Sequence, residues 1–228
     1  MDMNDAKKQA AEAALGLLKN GMSVGLGTGS TAYWFIQGLG EKIDRGDLSG
    51  IRAVPTSEAS RKQAEELGIP IIDLPKNGLD IAVDGMDEVD AELNAVKGLG
   101  GALTREKIVA MAARQFVLIG DHTKEVDDLL TTVPLPVEVL QFGAERTQQL
   151  LSNLECRPVL RTNDDGTPFV TDNGNIIYDC HFEFAPDFES LDAFLDITPG
   201  VVEHGLFLGF ANGAFIATPD GVKGIMAQ

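Results

Sequence analysis

The chain has 228 residues, 44% of them hydrophobic, enough to build a sizeable core and to exclude a disordered chain. Its 18 Lys and Arg face 35 Asp and Glu, a formal net charge of −17, so neither nucleic acid nor an anionic membrane is an expected partner. No apolar run reaches the roughly 20 residues that a membrane-crossing helix needs.

The N-terminal stretch carries two acids ahead of its lysines and no apolar segment, so it does not read as a signal peptide. Cys156 and Cys180 stand in no CxxC pair, which suits a cytoplasmic location without a disulfide framework, and small half-buried residues are the plain reading of both. Residues 3–19 read as an amphipathic helix with Ala6, Ala10, Ala13, Ala14 and Leu17 on one face. Lys7 and Lys8 lie in its first half, where a solvated face is the ordinary expectation. A short strand, Ser23–Leu26, then runs into a glycine turn (Gly25, Gly27, Gly29) and an apolar helix opened by Ser30 and Thr31. Glycines let backbone approach a ligand, and the first N–H groups of a helix form an anion site. The run matches neither a full dinucleotide fingerprint nor a Walker A loop. It therefore reads as a phosphate-type anion site or, more plainly, as a tight turn with Ser30 as N-cap. A second unit follows: strand 51–54, a helix from Ser57 to Leu67 with Ser57 as N-cap, and strand 71–74. Strand, helix and strand at this spacing predict a parallel sheet with right-handed crossovers.

The densest stretch is Asp84–Lys107, DGMDEVDAELNAVKGLGGALTREK. Ile81–Val83 before it is a short buried strand, which puts Asp84 at a strand's carboxyl end, where ligands of open α/β sheets gather. Asp84, Asp87 and Glu88 crowd three carboxylates together, an arrangement that divides acid and base roles or binds a divalent cation. Lys97 sits in a glycine turn, and Thr104 as N-cap would start a helix through Arg114, placing Glu106 in its first turn. There the helix dipole favours an ionised carboxylate, so Glu106 reads either as dipole complement or as base. Residues 115–120 form another buried strand, with Lys124 just beyond its carboxyl end.

Composition shifts at Thr131. A helix over 142–154, strands 157–161 and 168–171, a hairpin turn at Asp172–Asn175 leading into 176–180, a helix over 188–195 and strand 201–204 compose a small α+β unit. It shows no evident chemistry, and His181 and His204 look like single edge residues. The tail returns to short strands at 207–208, 215–217 and 222–226. The three histidines are not spaced as metal ligands, and neither a metal nor a cofactor is expected. A hydroxyl-rich glycine turn, clustered carboxylates and lysines at strand ends suit a small phosphorylated polyol, and carboxylates with one lysine suit proton transfer next to a carbonyl.

GLGTGSTA (25–32), VDGMDEVD (83–90), KGLGGALTREK (97–107), PLPVEV (134–139), TDNGN (171–175) and TPDGVK (218–223) together resemble type A ribose-5-phosphate isomerase, in order and over essentially the whole chain. The resemblance implies a Rossmann-like α/β domain (1–132 plus 206–228) carrying an inserted ferredoxin-like α+β domain (133–205), usually as a homodimer. It also implies interconversion of ribose 5-phosphate and ribulose 5-phosphate in the non-oxidative pentose phosphate pathway, without a metal. In that family's terms Glu106 is the base that shuttles the proton. Lys97 and the amides of Gly98–Gly101 stabilise the enediolate, while Asp84 and Asp87 hold hydroxyls and help open the ring. Substrate contacts fall to Lys7, Thr28, Gly29, Ser30, Thr31, Gly85, Met86, Gly98, Leu99, Gly100 and Lys124. Met86 and Leu99 depart from the commonest residues at variable places of the motif. Two rivals are a silent sugar-phosphate sensor, for which no basic DNA-binding helix is present, and another sugar-phosphate isomerase or deaminase.

Overall fold

The computed structural model describes residues 2–227. The chain runs α1 (Met3–Leu15), β1 (Ser23–Leu26), α2 (Ser30–Asp44), β2 (Arg52–Pro55), α3 (Glu58–Glu66) and β3 (Ile81–Gly85). Two-residue strands β4 (Glu88–Val89) and β5 (Ala95–Val96) lead to α4 (Leu103–Ala112) and β6 (Phe116–Asp121). A 3-10 turn over His122–Lys124 is followed by β7 (Leu135–Val139), α5 (Ala144–Leu151), β8 (Cys156–Leu160), β9 (Ile176–Phe182), α6 (Phe188–Ile197) and β10 (Val201–His204). The last strands are β11 (Leu206–Phe207), β12 (Gly213–Thr218) and β13 (Gly221–Met226).

The main sheet has the order β13-β12-β6-β3-β1-β2, parallel throughout except for its edge strand β13. Every residue of β1 and β6 is buried, as expected of strands covered by helices on both faces. One face packs against α1 and α2 through Ala10, Ala14, Phe35, Ile36 and Leu39. The other packs against α4 through Val109 and Ala110, with Phe116 and Phe207. Gly25 permits that second contact, since a Cβ there would lie 2.5 Å from Val109 Cγ1. The architecture is Rossmann-like, and the carboxyl ends of β1, β3 and β6 open on one side of the sheet.

Residues of β7–β10 build a second, wholly antiparallel sheet of order β10-β7-β9-β8. With α5 and α6 this is the β-α-β-β-α-β arrangement of ferredoxin-like folds. A three-stranded sheet, β11-β5-β4, lies where the chain leaves and rejoins the main sheet. Two buried acids tie the parts together. Glu88 accepts from the amides of Leu130, Thr132 and Val133 and from the Thr132 hydroxyl, so it anchors the passage to the second sheet and takes no part in the carboxylate cluster expected of it. Glu138 on β7 accepts from Thr104, Thr171, Asn173 and Asn175. The Thr104 hydroxyl thus serves Glu138 and caps nothing; the N-cap of α4 is Ala102.

Other differences have local causes. Residues 71–74 make a single bridge, Ile71 to Ala53, because Pro70 and Pro75 bracket them and carry no N–H. Pro168 limits 168–171 in the same way to isolated bridges, although the Asp172–Asn175 turn forms with Gly174 at φ +80°. Gly29, at φ +105°, is the N-cap of α2, and Ser30 is its first helical residue. His204 is fully buried against Asp192 and Asp196 of α6, whereas His181 is exposed as an edge residue would be. Cys156 and Cys180 are free thiols on adjacent strands.

Candidate active site

The carboxyl ends of β1, β3 and β6 line a cleft of about 160 Å³. Asp84 ends the buried part of β3 just behind the lining, next to Lys97 and not itself facing the cavity. Its Oδ1 accepts from the amides of Thr28 (3.0 Å) and Gly85 (2.7 Å). Gly27 makes this approach possible, since a Cβ there would lie 2.1 Å from Asp84 Oδ1. Lys97 leaves β5 and points inward. Its ammonium is 3.1 Å from Asp84 Oδ2 and 3.5 Å from Glu106 Oε2, and it donates to Gly85 O at 2.6 Å. Lys97, Asp84 and Glu106 are all buried, at 2–3% exposure, so the three charges interact in a medium of low polarity. Asp87, half-buried, accepts from the Leu99 amide at 2.9 Å.

One ammonium cannot balance two buried carboxylates with a third, half-buried one beside them. Burial raises the Asp84 carboxyl above its ordinary range against the pull of Lys97. For Lys97, burial works to lower the pKa, but Asp84, Glu106 and Asp87 outweigh it and hold the ammonium charged. Glu106 is raised as well. Burial first, then the charges of Asp84 and Asp87, lift it to about 8 against Lys97. Asp84 has two amide donors beside the lysine, while Glu106 Oε2 is buried with no hydrogen-bond partner among the described residues. Glu106 is thus held above its ordinary range with fewer partners for its charge than Asp84 has. Position on α4 was expected to keep this carboxylate ionised; as the fourth helical residue its amide already bonds Ala102 O, and burial dominates the dipole.

The other end of the cleft has the opposite character. Ser30 and Thr31 begin α2 and present its first turn to the cavity, with half-buried Lys7 of α1 and Lys124 beside it. Lys8 stacks on Trp34 at 4.2 Å, so only Lys7 of the pair lines the cleft. Gly29, Gly85, Met86, Gly98 and Gly100 complete the lining, and Met86 occupies the space that a Cβ on Gly120 would need. Thr28 lines the cleft too, but its hydroxyl is turned into a cluster with Thr56, Ser57 and Ser60. The Leu99 side chain stays outside, 39% exposed, and only its backbone takes part. Among the described residues no group of three or more His, Cys, Asp or Glu is placed to hold a metal ion.

The family profile described as ribose 5-phosphate isomerase A (phosphoriboisomerase A) matches residues 52–221. The chain belongs to the ribose 5-phosphate isomerase A family. It is 48% identical to ribose-5-phosphate isomerase A of Roseiflexus castenholzii, over 97% of this chain and 95% of that one. With the Gluconobacter oxydans protein of the same name it shares 50% identity, over 97% and 96% of the two chains. Among solved structures, a D-ribose-5-phosphate isomerase in complex with phospho-erythronic acid superposes with a TM-score of 0.96 at 40% identity, covering 99% of this chain and 100% of that one. The ribose 5-phosphate isomerase of Plasmodium falciparum superposes at 0.95, with 36% identity over 98% and 99% of the chains.

In this isomerase A chain the cleft also includes residues that sequence reasoning passed over. Met3 and Thr123 line it, and so does Asp121, the last residue of β6. Asp121 Oδ1 accepts from the Thr123 amide, fixing the turn that carries Lys124, while the buried Oδ2 has no partner among the described residues. The available signal was an acid closing an otherwise apolar strand. Arg161, from the second sheet, donates to Gly98 O and Leu99 O behind the glycine turn, a contact that no local pattern announces.

Proposed function

We propose that the protein interconverts D-ribose 5-phosphate and D-ribulose 5-phosphate through an enediolate, with Glu106 moving the proton between carbon 2 and carbon 1. The observation that carries this reading is the buried Glu106 carboxyl, whose Oε2 has no hydrogen-bond partner among the described residues and faces the Lys97 ammonium at 3.5 Å. When ionised Glu106 takes the carbon-2 proton, negative charge passes from its carboxylate to the sugar's oxygen. Lys97 serves both places, so the site's total charge and its balance are preserved through the step. A carboxyl pushed up to about 8 binds the abstracted proton firmly enough to carry it to carbon 1, while its ionised fraction near pH ~7 supplies the base. The Leu99 amide serves Asp87 and the Gly101 amide bonds Gly98 O, which leaves the amides of Gly98 and Gly100 for the enediolate. Asp84 and Asp87 hold hydroxyls and carry protons in ring opening.

The α2 N-terminus with Lys7 and Lys124 receives the phosphate and offsets the chain's negative field. Residues 1–132 with 206–228 form the catalytic unit, and 133–205 the smaller one. The working form is a cytoplasmic homodimer without metal or cofactor, which light scattering and assay after exhaustive chelation address. The same reading places the reaction in the non-oxidative pentose phosphate pathway. The test is direct: purified protein given ribose 5-phosphate should produce the ketose, and absence of ketose refutes the reading.

A further inference from the structure

We propose that Arg161, outside the cleft, is a positioning residue for the isomerisation: it holds the outer side of the Gly98–Gly101 turn so that the inner side presents N–H groups. Arg161 directly follows β8 of the second sheet, and its side chain is 12% exposed. Its Nη1 donates to Gly98 O at 2.9 Å and to Leu99 O at 3.1 Å, while Nε and Nη2 fork onto Asp179 of β9.

A trans peptide is planar, with its C=O and N–H pointing in opposite directions. The Gly98–Leu99 peptide therefore turns its carbonyl to Arg161 and its N–H to the cleft side, where it meets Asp87 Oδ2 at 2.9 Å. The next peptide is fixed the same way. Leu99 O faces Arg161, which directs the Gly100 N–H toward the cleft that Gly100 lines. Without this hold the turn is restrained only by Gly101 N–H to Gly98 O and Leu99 N–H to Asp87, and Gly98 at φ +101° and Gly101 at φ +80° flank it with permissive backbone that eases a flip. A flipped peptide would show the enediolate a carbonyl oxygen and strip Asp87 of its donor. Phe169 adds a second restraint from the same unit. Its ring fills the space where a Cβ on Gly101 would stand, 2.4 Å away, and lies 5.9 Å from the Arg161 guanidinium. The smaller sheet thereby acts on the reaction through backbone orientation.

This inference rests on the isomerase reading, which turnover of ribose 5-phosphate by the unaltered protein tests separately. In Arg161→Gln, kcat should fall roughly 10- to 100-fold with KM changed less than about twofold. Affinity for a four-carbon phosphorylated hydroxamate, whose ionised end imitates the enediolate, should fall by the same factor. Competition by inorganic phosphate should stay as it is. Asp179→Asn, which loosens Arg161 without touching the turn, should give the same pattern more weakly and decides the matter if Arg161→Gln does not fold. An unchanged kcat overturns the proposal, and so does an equal loss of hydroxamate and phosphate binding, which marks general collapse of the cleft.

Discussion

Replacing Glu106 with Gln tests both the chemistry and the electrostatics of the cleft. Removal of a general base lowers kcat by about a hundred- to ten-thousand-fold, while the phosphate contacts, and hence KM, are left largely in place. Stability should move the other way. The carboxyl shifts from 4.5 in the unfolded chain to about 8 in the folded one. Below the lower value both states are protonated, and the carboxyl has no pH-linked effect. Between the two values the folded chain retains a proton that the unfolded chain has lost, so folding weakens as pH rises. Above the higher value the full penalty applies. At roughly 1.4 kcal/mol per pH unit the ceiling is about 5 kcal/mol, and the loss of one partner for Lys97 reduces it. For a chain of this size each kcal/mol moves Tm by about 2–4 °C, so Glu106→Gln should melt roughly 10 °C above the parent near pH ~9 and converge with it toward pH ~5. Calorimetry at several pH values reads this directly. A Tm difference that is flat with pH would refute the raised carboxyl, and near-normal turnover would refute the base.

Lys97→Met should act in the opposite sense. It leaves Asp84 and Glu106 buried without a counter-ion, a change that costs about 3–5 kcal/mol near neutral pH and shrinks in acid as the carboxyls take up protons; urea titrations at two pH values check it. Gly27→Ala should abolish turnover, because its methyl group would meet Asp84 Oδ1 at 2.1 Å and its Cα at 2.5 Å; a variant that folds and turns over normally would show that Asp84 need not sit where it does. Lys7→Ala and Lys124→Ala should each raise KM several-fold with kcat kept, as expected of contacts made equally in ground and transition states, and steady-state kinetics separate the two constants.

The parallel sheet was legible because β1, β3 and β6 are short, largely apolar runs, the pattern that burial on both faces requires. The Asp84–Lys107 stretch was legible as a site because its charges are close in sequence. Which charges act together was not. Glu88 lies one residue from Asp87 yet turns the opposite way to hold residues 130–133, as alternation along an extended strand allows. The ionisation of Glu106 escaped as well, since helix position is local information and desolvation is not. Arg161 and Glu138 were invisible for a related reason. Each bonds across the two sheets over long sequence separations, and no periodicity encodes such a contact.

The order β13-β12-β6-β3-β1-β2 also has a bearing on how the molecule is made. Strand β6 lies inside the sheet, but its outer neighbour β12 is synthesised only after the whole of β7–β10 has emerged. Until then β6 offers a bare apolar edge, with Val117 to Asp121 waiting for Gly213 to Ala217. Pairing across that separation is slow, and an open strand edge invites pairing with other chains. The hazard of self-association during synthesis is therefore concentrated on β6. A nascent chain halted before β12 should aggregate where one extended through β13 does not.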